Sequence, residues 1–401
     1  MALLRVEDAL RRALDGIDIL PAEEVPLAEA AERILACDLK ARRTQPPFDA
    51  SAMDGYAVRA ADIESPPATL AVIGESAAGL RFSGRVGPGE AVRIFTGAPV
   101  PVGADTILLQ ENASALEADR ISALEPALPG RHIRIAGLDF KESDVLLGKG
   151  RLLDPAAIAL AAAGGHAQLP VVRRPLVALI ATGDELVPPD TVPGADQIIA
   201  SNHFGIGALA KLDGADVLDL GIVPDQQHAI AGAARSALEA GAHIVVTLGG
   251  ASVGERDLVR QVLTDEGMEL DFWKIAMRPG KPLMFGRFGE TRVLGLPGNP
   301  VSSFICAHLF LRPMIARLSG RIFRADLRPA KLGKALKAND ERQDYLRALV
   351  EEHTDGSVAT PFETQDSSML TTLARSNGLI IREPHAPAAE AGTLCTVLML
   401  R

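Results

Sequence analysis

A multi-domain protein of α/β plus β class is what this chain predicts, on three observations. At 401 residues it is too long for one ordinary core, so two to four domains are expected. From residue 176 to 320, apolar runs of strand length alternate with helix-patterned stretches, as in an α/β domain whose sheet is largely parallel. On either side, short β-rich runs punctuated by Gly and Pro replace that alternation, as in small all-β modules.

The elements follow in order. Leu3, Val6, Leu10, Ala13, Leu14 and Ile17 fit an amphipathic helix. A second candidate helix at 27–36 follows Pro26, so residues 1–45 read as helical. Gln45-Pro46-Pro47-Phe48-Asp49 breaks the pattern, and β runs follow at 70–73, 91–95 and 106–110. Asp154-Pro155 starts a helix, with Asp as cap and Pro in the first turn. Arg173, Arg174 and Pro175 mark the next boundary. Strands at 176–181, 216–220 and 243–248 then alternate with helices at 202–212 and 225–240, and further β runs lie at 270–276 and 292–296. A helix from Asn299-Pro300 to about Leu318 carries Val301, Phe304, Ile305 and Leu309 on its inner face. Runs at 345–350, 378–381 and 393–400 predict a small β-barrel or sandwich at the C-terminus.

An apolar content of 47% with 23% charged residues describes a soluble globular protein. The apolar runs are too short to span a bilayer, so no membrane association is expected. Arg5, Glu7 and Asp8 interrupt any signal-peptide core. Cys37, Cys306 and Cys395 form no CxxC pair and are expected as small buried residues in a reducing cytoplasm. No histidine or cysteine spacing matches a zinc site. A net charge of −10 argues against a nucleic-acid partner, and it isolates Lys274, Arg278 and Lys281 as a basic cluster on an acidic background. That contrast points to a small anionic ligand.

Three turn-rich loops each follow a β run: Gly249-Gly250-Ala251-Ser252-Val253-Gly254-Glu255-Arg256-Asp257, Met277-Arg278-Pro279-Gly280-Lys281-Pro282, and Leu296-Pro297-Gly298-Asn299-Pro300. Strand, glycine-bearing loop and helix together build anion pockets from backbone N–H groups. The double glycine is not a P-loop and lacks the GxGxxG spacing, so alone it is equally a tight turn. Ser252 and Asp257 suit a helix start, and a carboxylate there can also hold a divalent metal. Glu185, Asp225 and Asp257 each leave a strand end of one sheet, where open α/β sheets bind ligands. Singly each reads as a cap; converging with the basic loop, they read as a metal and phosphate site. The prolines of Arg278-Pro279-Gly280-Lys281-Pro282 stiffen the backbone, so its cations suit an oxyanion.

In order along the chain, S-A-M-D-G-Y-A at 51–57, T-G-A-P-V-P-V-G-A-D at 96–105, T-G-D-E-L at 182–186, G-G-A-S-V-G-E-R-D at 249–257, R-P-G-K-P at 278–282 and L-P-G-N-P-V-S at 296–302 resemble the MoeA family of molybdopterin molybdenumtransferases, found also as the E domain of gephyrin-type proteins. The resemblance spans nearly the whole chain. It implies an extended N-terminal region (1–45 and 139–173), a β-rich insertion (46–138), a molybdopterin-binding α/β/α domain (174–320) and a C-terminal β-barrel (321–401), assembled as a homodimer. The implied reaction joins adenylylated molybdopterin and molybdate, releasing AMP, with Mg²⁺ as cofactor and other molybdenum-cofactor biosynthesis proteins as partners. Adenylyl transfer to molybdopterin and a non-catalytic scaffold role are the alternatives.

Carried over residue by residue, the resemblance implies catalytic roles for Asp54, Thr96, Asp139, Glu185, Asp225 and Asp257, with Asp257, Glu185 and Asp225 also toward the metal. It implies substrate or molybdate binding by Gly249, Gly250, Ser252, Lys274, Arg278, Lys281, Pro297, Pro300, Ser302, Arg347 and Ser367. Two positions depart from the family pattern: Arg278 stands where lysine is usual, and Leu248 where a serine usually precedes the double glycine.

Overall fold

The computed structural model describes residues 3–249 and 258–400. Gly250, Ser252 and Asp257 therefore lie outside the described residues. The chain divides into two compact units, one of residues up to Glu23 together with Val172–Arg401, the other Glu24–Val171.

In the first unit a six-stranded sheet runs in the order Asp216–Val223, Leu176–Thr182, Ile244–Leu248, Thr291–Leu296, Met284–Phe288, Glu269–Phe272. The first four strands are parallel to one another, and Met284–Phe288 runs antiparallel to both of its neighbours, so Glu269–Phe272 points the same way as the first four. The mixed edge has a local cause: only Gly289 and Glu290 separate two of its strands, and a two-residue turn can join only antiparallel neighbours. Alternation sorts the side chains of the central strands. Val177, Leu179 and Val246 face a core shared with the N-terminal helix Val6–Leu14, helix Asn202–Leu212 and the long helix Pro300–Leu318. Ala178, Ile180 and Val245 face helices Gln227–Glu239 and Leu258–Asp265 on the other side. Both faces are covered, which is why these strands are apolar throughout rather than alternating with polar residues. Gly205 lets two helices of the first layer approach closely, since a Cβ there would lie 2.1 Å from the Phe304 ring.

The Pro300–Leu318 helix has the length and apolar character of a membrane span, yet 72% of it is buried in this core. It contains a π turn, Ala307–Leu311, just before Pro313, which offers no N–H to an α-helical ladder. Cys306 and Cys395 are buried or half-buried as expected, but Cys37 is exposed.

The C-terminal segment closes a five-stranded barrel: Gln343–His353, Gly356–Pro361, Leu327–Leu332, Leu394–Met399 and Gly378–Arg382, the last pairing back on the first. Ala348, Ala359, Ile380 and Val397 fill it. The short strand Met277–Arg278 adds in parallel to Gln343–Asp344, fastening the basic loop of the α/β part to the barrel.

The second unit holds a six-stranded sheet in the order Thr106–Leu109, Gly55–Val58, Glu90–Ile94, Ala68–Ser76, Arg120–Ala123, Ala113–Leu116. Helix Pro155–Ala163 begins as expected, Asp154 accepting the Ala157 N–H at 2.8 Å. The expectation of helix throughout residues 1–45 is corrected. After Val6–Leu14 come the strand Ala22–Pro26, a single 3₁₀ turn, Leu27–Glu29, and the short strand Leu39–Lys40. Glu32 takes a left-handed backbone with φ 61°, and Leu35 bridges to Val171. Pairing with residues over a hundred positions away outweighs the local helical preference of this stretch.

Candidate active site at the strand ends

Parallel register brings the carboxyl ends of Leu176–Thr182, Asp216–Val223, Ile244–Leu248 and Thr291–Leu296 side by side. The loops leaving them surround a cleft of about 710 Å³ lined by Thr182, Gly183, Glu185, Asp225, Gly249, Pro297 and Pro300, among others. Close backbone approach requires glycine at Gly249, with φ 101°, where a Cβ would sit 2.4 Å from the Thr182 carbonyl oxygen. The structure therefore gathers Glu185, Asp225, Gly249, Pro297 and Pro300 around one cavity.

The acids there repel one another. The Asp225 N–H donates to Asp184 Oδ1 at 3.0 Å, which holds the two loops together. Partial burial raises the Asp225 carboxyl above the usual aspartate range, and the negative charges of Asp184 and Glu185 raise it further. A cation at this place would relieve that repulsion. Among the described residues no three His, Cys, Asp or Glu side chains gather into a metal cage. Mg²⁺, however, is commonly held by one or two carboxylates with substrate phosphates and water supplying the rest, so Glu185 and Asp225 fit it.

The opposite wall comes from the Pro297–Pro300 turn and the barrel. Asn202 Nδ2 donates to the Gly298 carbonyl at 2.7 Å, and Ser303 Oγ donates to the Pro297 carbonyl. Ser302 is buried in the first turn of the following helix, and the neighbouring Val301 N–H donates to the Ser367 carbonyl at 3.0 Å. It is Ser368, next to the expected Ser367, that lines the cleft. Arg347 is 1% exposed; its Nε donates to Gln365 Oε1 at 3.1 Å and its Nη1 to the Asp366 carbonyl at 2.8 Å. It thus braces, from beneath, the turn that carries Ser367 and Ser368.

The three cations differ. Lys274 Nζ lies 3.6 Å from the Trp273 ring centroid. Arg278 binds Asp344, and also Asp340 at 3.1 Å and Asn339 at 3.1 Å. Lys281 makes no ion pair among the described residues and adjoins Pro282 on the cleft wall. Gly280, with φ 109°, shapes the loop against Cys306, whose Sγ would be 2.6 Å from an added Cβ. Of the three, Lys281 is the cation whose charge is not balanced or stacked among the described residues.

Asp54, Thr96 and Asp139 belong to the second unit. Both the Thr96 N–H and its hydroxyl donate to Asp54 Oδ1 at 2.7 Å. These bonds, with a smaller contribution from Arg93, lower the exposed Asp54 carboxyl below its usual range, so it stands ionised. Asp139 is exposed, and its N–H donates to the Gln45 carbonyl at 3.0 Å.

Residues that the motifs did not single out also face the cleft, notably Asn202, His203 and Ser368. For Asn202 and His203 the signal in the sequence is a polar pair at the start of a helix, which reads equally as a cap.

The chain matches three family models: "MoeA N-terminal region (domain I and II)" over residues 4–165, "Probable molybdopterin binding domain" over 178–317 and "MoeA C-terminal region (domain IV)" over 329–400. It is 34% identical over 401 residues to a molybdopterin molybdenumtransferase of Haemophilus influenzae, covering 98% of each chain. It is 33% identical to that of Bacillus subtilis, covering 99% of this chain and 94% of the relative. Among solved structures, a molybdopterin biosynthesis MoeA protein from Pyrococcus horikoshii superposes with a TM-score of 0.86 at 30% identity over 100% of both chains.

Proposed function

The chain belongs to the MoeA family of molybdopterin molybdenumtransferases, and from that premise we propose that it inserts molybdate into adenylylated molybdopterin with release of AMP, in the last step of molybdenum cofactor biosynthesis. The observation that carries this reading is the cleft at the strand ends, where Glu185 and Asp225 sit in one cavity whose wall continues to Pro282, beside Lys281.

In this reading the chain works mainly by placement and charge. Lys281 draws the molybdate dianion to the cleft and fixes it by a charge-assisted hydrogen bond. Arg278, engaged by Asp340 and Asp344, keeps the Pro279–Pro282 loop in register with the barrel. Arg347 holds the Ser367–Ser368 turn against the Pro297–Pro300 turn. Gly249 and Gly183 leave backbone open to the substrate's phosphates. Glu185 and Asp225, with Asp257 as a further candidate, would hold Mg²⁺, which when bound neutralises charge on the phosphoanhydride. Asp54, fixed by Thr96, is a permanently ionised carboxylate, and it, Thr96 and Asp139 keep the catalytic roles that the family resemblance implies. We further propose a cytoplasmic homodimer organised as 1–45 with 139–173, 46–138, 174–320 and 321–401, working with other cofactor-biosynthesis proteins.

Mass spectrometry of the reaction mixture tests the reading. AMP should accumulate from adenylylated molybdopterin only when molybdate is added. ATP consumption without molybdate dependence would indicate adenylyl transfer instead, and no turnover at all would leave a scaffold.

A further inference from the structure

Resting on the reading in which Asp54 takes part in AMP release, we infer that Arg93 is a positioning residue for that reaction: with Gln110 it closes a ring of hydrogen bonds around the Asp54–Gly55 turn and so aims the Asp54 carboxylate. Asp54 stands exposed in the turn between the short strands Ala50–Ser51 and Gly55–Val58. Exposed side chains in turns ordinarily sample several rotamers, so a fixed carboxylate needs restraint from outside the turn. Thr96 supplies one restraint by binding Oδ1 twice, while Oδ2 has no hydrogen bond among the described residues. That ties the side chain to Thr96 but leaves the main chain that carries it to be held separately. Two other bonds hold it. The Gln110 N–H donates to the Asp54 carbonyl at 3.2 Å, and Arg93 Nη1 donates to the Gly55 carbonyl at 3.2 Å. Arg93 Nη2 donates to Gln110 Oε1 at 2.8 Å, which joins the two anchors and closes the ring.

Arg93 is itself held in place. It stands opposite Tyr56 in the antiparallel register and two residues before Phe95. Its guanidinium carbon lies 5.0 Å from the Tyr56 ring centroid and 5.1 Å from that of Phe95. Among the described residues its hydrogen bonds go to neutral oxygens and it makes no ion pair, so its charge is not quenched locally. That charge acts on the Asp54 carboxylate and adds to the Thr96 bonds in keeping it ionised. A guanidinium suits both tasks, because its planar fork reaches Gly55 and Gln110 at once, where a lysine ammonium offers no fixed fork. An arginine that only packed two rings would act on stability and not through Asp54.

Single-turnover AMP release by the full-length protein, with molybdate and Mg²⁺, separates these roles. Arg93→Met keeps side-chain length but removes fork and charge. It should slow release about ten- to a hundredfold, as expected of a misplaced group, with the half-saturating concentration unchanged. Arg93→Lys should fall between Arg93→Met and wild type. Gln110→Leu, at an exposed position, opens the ring without disturbing the core, and should slow release about five- to tenfold, the worth of one hydrogen bond. In an Asp54→Asn background neither Arg93→Met nor Gln110→Leu should slow the residual rate further, because both act through the Asp54 carboxylate. Additive losses in that background, a raised half-saturating concentration, or a wild-type rate in Gln110→Leu would each overturn the inference. The last holds even if Arg93→Met proves inactive through misfolding, which its denaturant midpoint would reveal. A wild-type protein that releases no AMP, or Asp54→Asn protein at the wild-type rate, overturns the underlying reading and this inference together, so the two failures are told apart.

Discussion

Lys281 and Arg278 lie three positions apart in one rigid loop, yet their surroundings assign them different work. Lys281 retains an unpaired charge among the described residues, so Lys281→Ala should raise the molybdate concentration needed for half-maximal AMP release by about one to two orders of magnitude. Excess molybdate should restore the rate, and an unchanged molybdate requirement would show that the oxyanion binds away from this loop. Arg278 faces Asp344, which is 4% exposed and whose Oδ1 has no hydrogen bond among the described residues. Burial raises the Asp344 carboxyl, while Arg278 pulls it down. In Arg278→Ala that carboxylate loses its counter-charge, and the protein should lose about 2–4 kcal/mol of stability in denaturant unfolding at neutral pH. The sign of the pH dependence follows from the raised carboxyl. Folding then favours its protonated form, so the loss should be small near pH 4 and deepen as pH rises through the folded-state value. A loss independent of pH would mean that Arg278 acts through packing alone.

At the scale of elements, the long helix Pro300–Leu318 joins the cleft to the core, and a titratable group lies in its π turn. Burial, assisted by the positive charge of Arg312, lowers His308 to about 4, against an unfolded value of 6.5. Above pH 6.5 the imidazole is neutral in both states. As pH falls from 6.5 towards 4, the unfolded chain takes up a proton that the folded chain refuses, and stability falls by up to about 3 kcal/mol. His308→Gln should flatten that slope in urea titrations at pH 7, 6 and 5; an undiminished slope would place the acid sensitivity elsewhere.

The same elements show what could be read from residues alone. The strands 176–181 and 243–248 and the helices around 202–212 and 300–318 were legible because their apolar periodicity is strong and both faces of the sheet are buried. The strand Met284–Phe288 was not, since Gly286 and Arg287 interrupt its short apolar run. Residues 22–35 misread as helix because their pairing partners lie in 151–172. For the cleft, the motifs identified the loops that carry Glu185, Asp225, Gly249 and Pro297. They could not reveal that Arg278 meets Asp344, or that Asn202 and His203 face the same cavity. Those facts depend on how distant segments pack.

For the molecule as a whole, the proposed reading gives the acidic composition and the local cations one purpose: a chain of net charge −10 would present a confined place for an oxyanion. Folding brings acids from two strand ends to the same cleft, where Asp184 and Glu185 raise the Asp225 carboxyl. The most direct test is single-turnover release of AMP from adenylylated molybdopterin by wild-type protein and by the double variant Glu185→Gln, Asp225→Asn, each with Mg²⁺ and with or without molybdate. The wild-type protein should release AMP only with molybdate. The double variant should fold normally and bind AMP, yet release it at least about a hundredfold more slowly, since it lacks charges needed chiefly in the transition state. Wild-type rates in the double variant, or AMP release that ignores molybdate, would contradict the account.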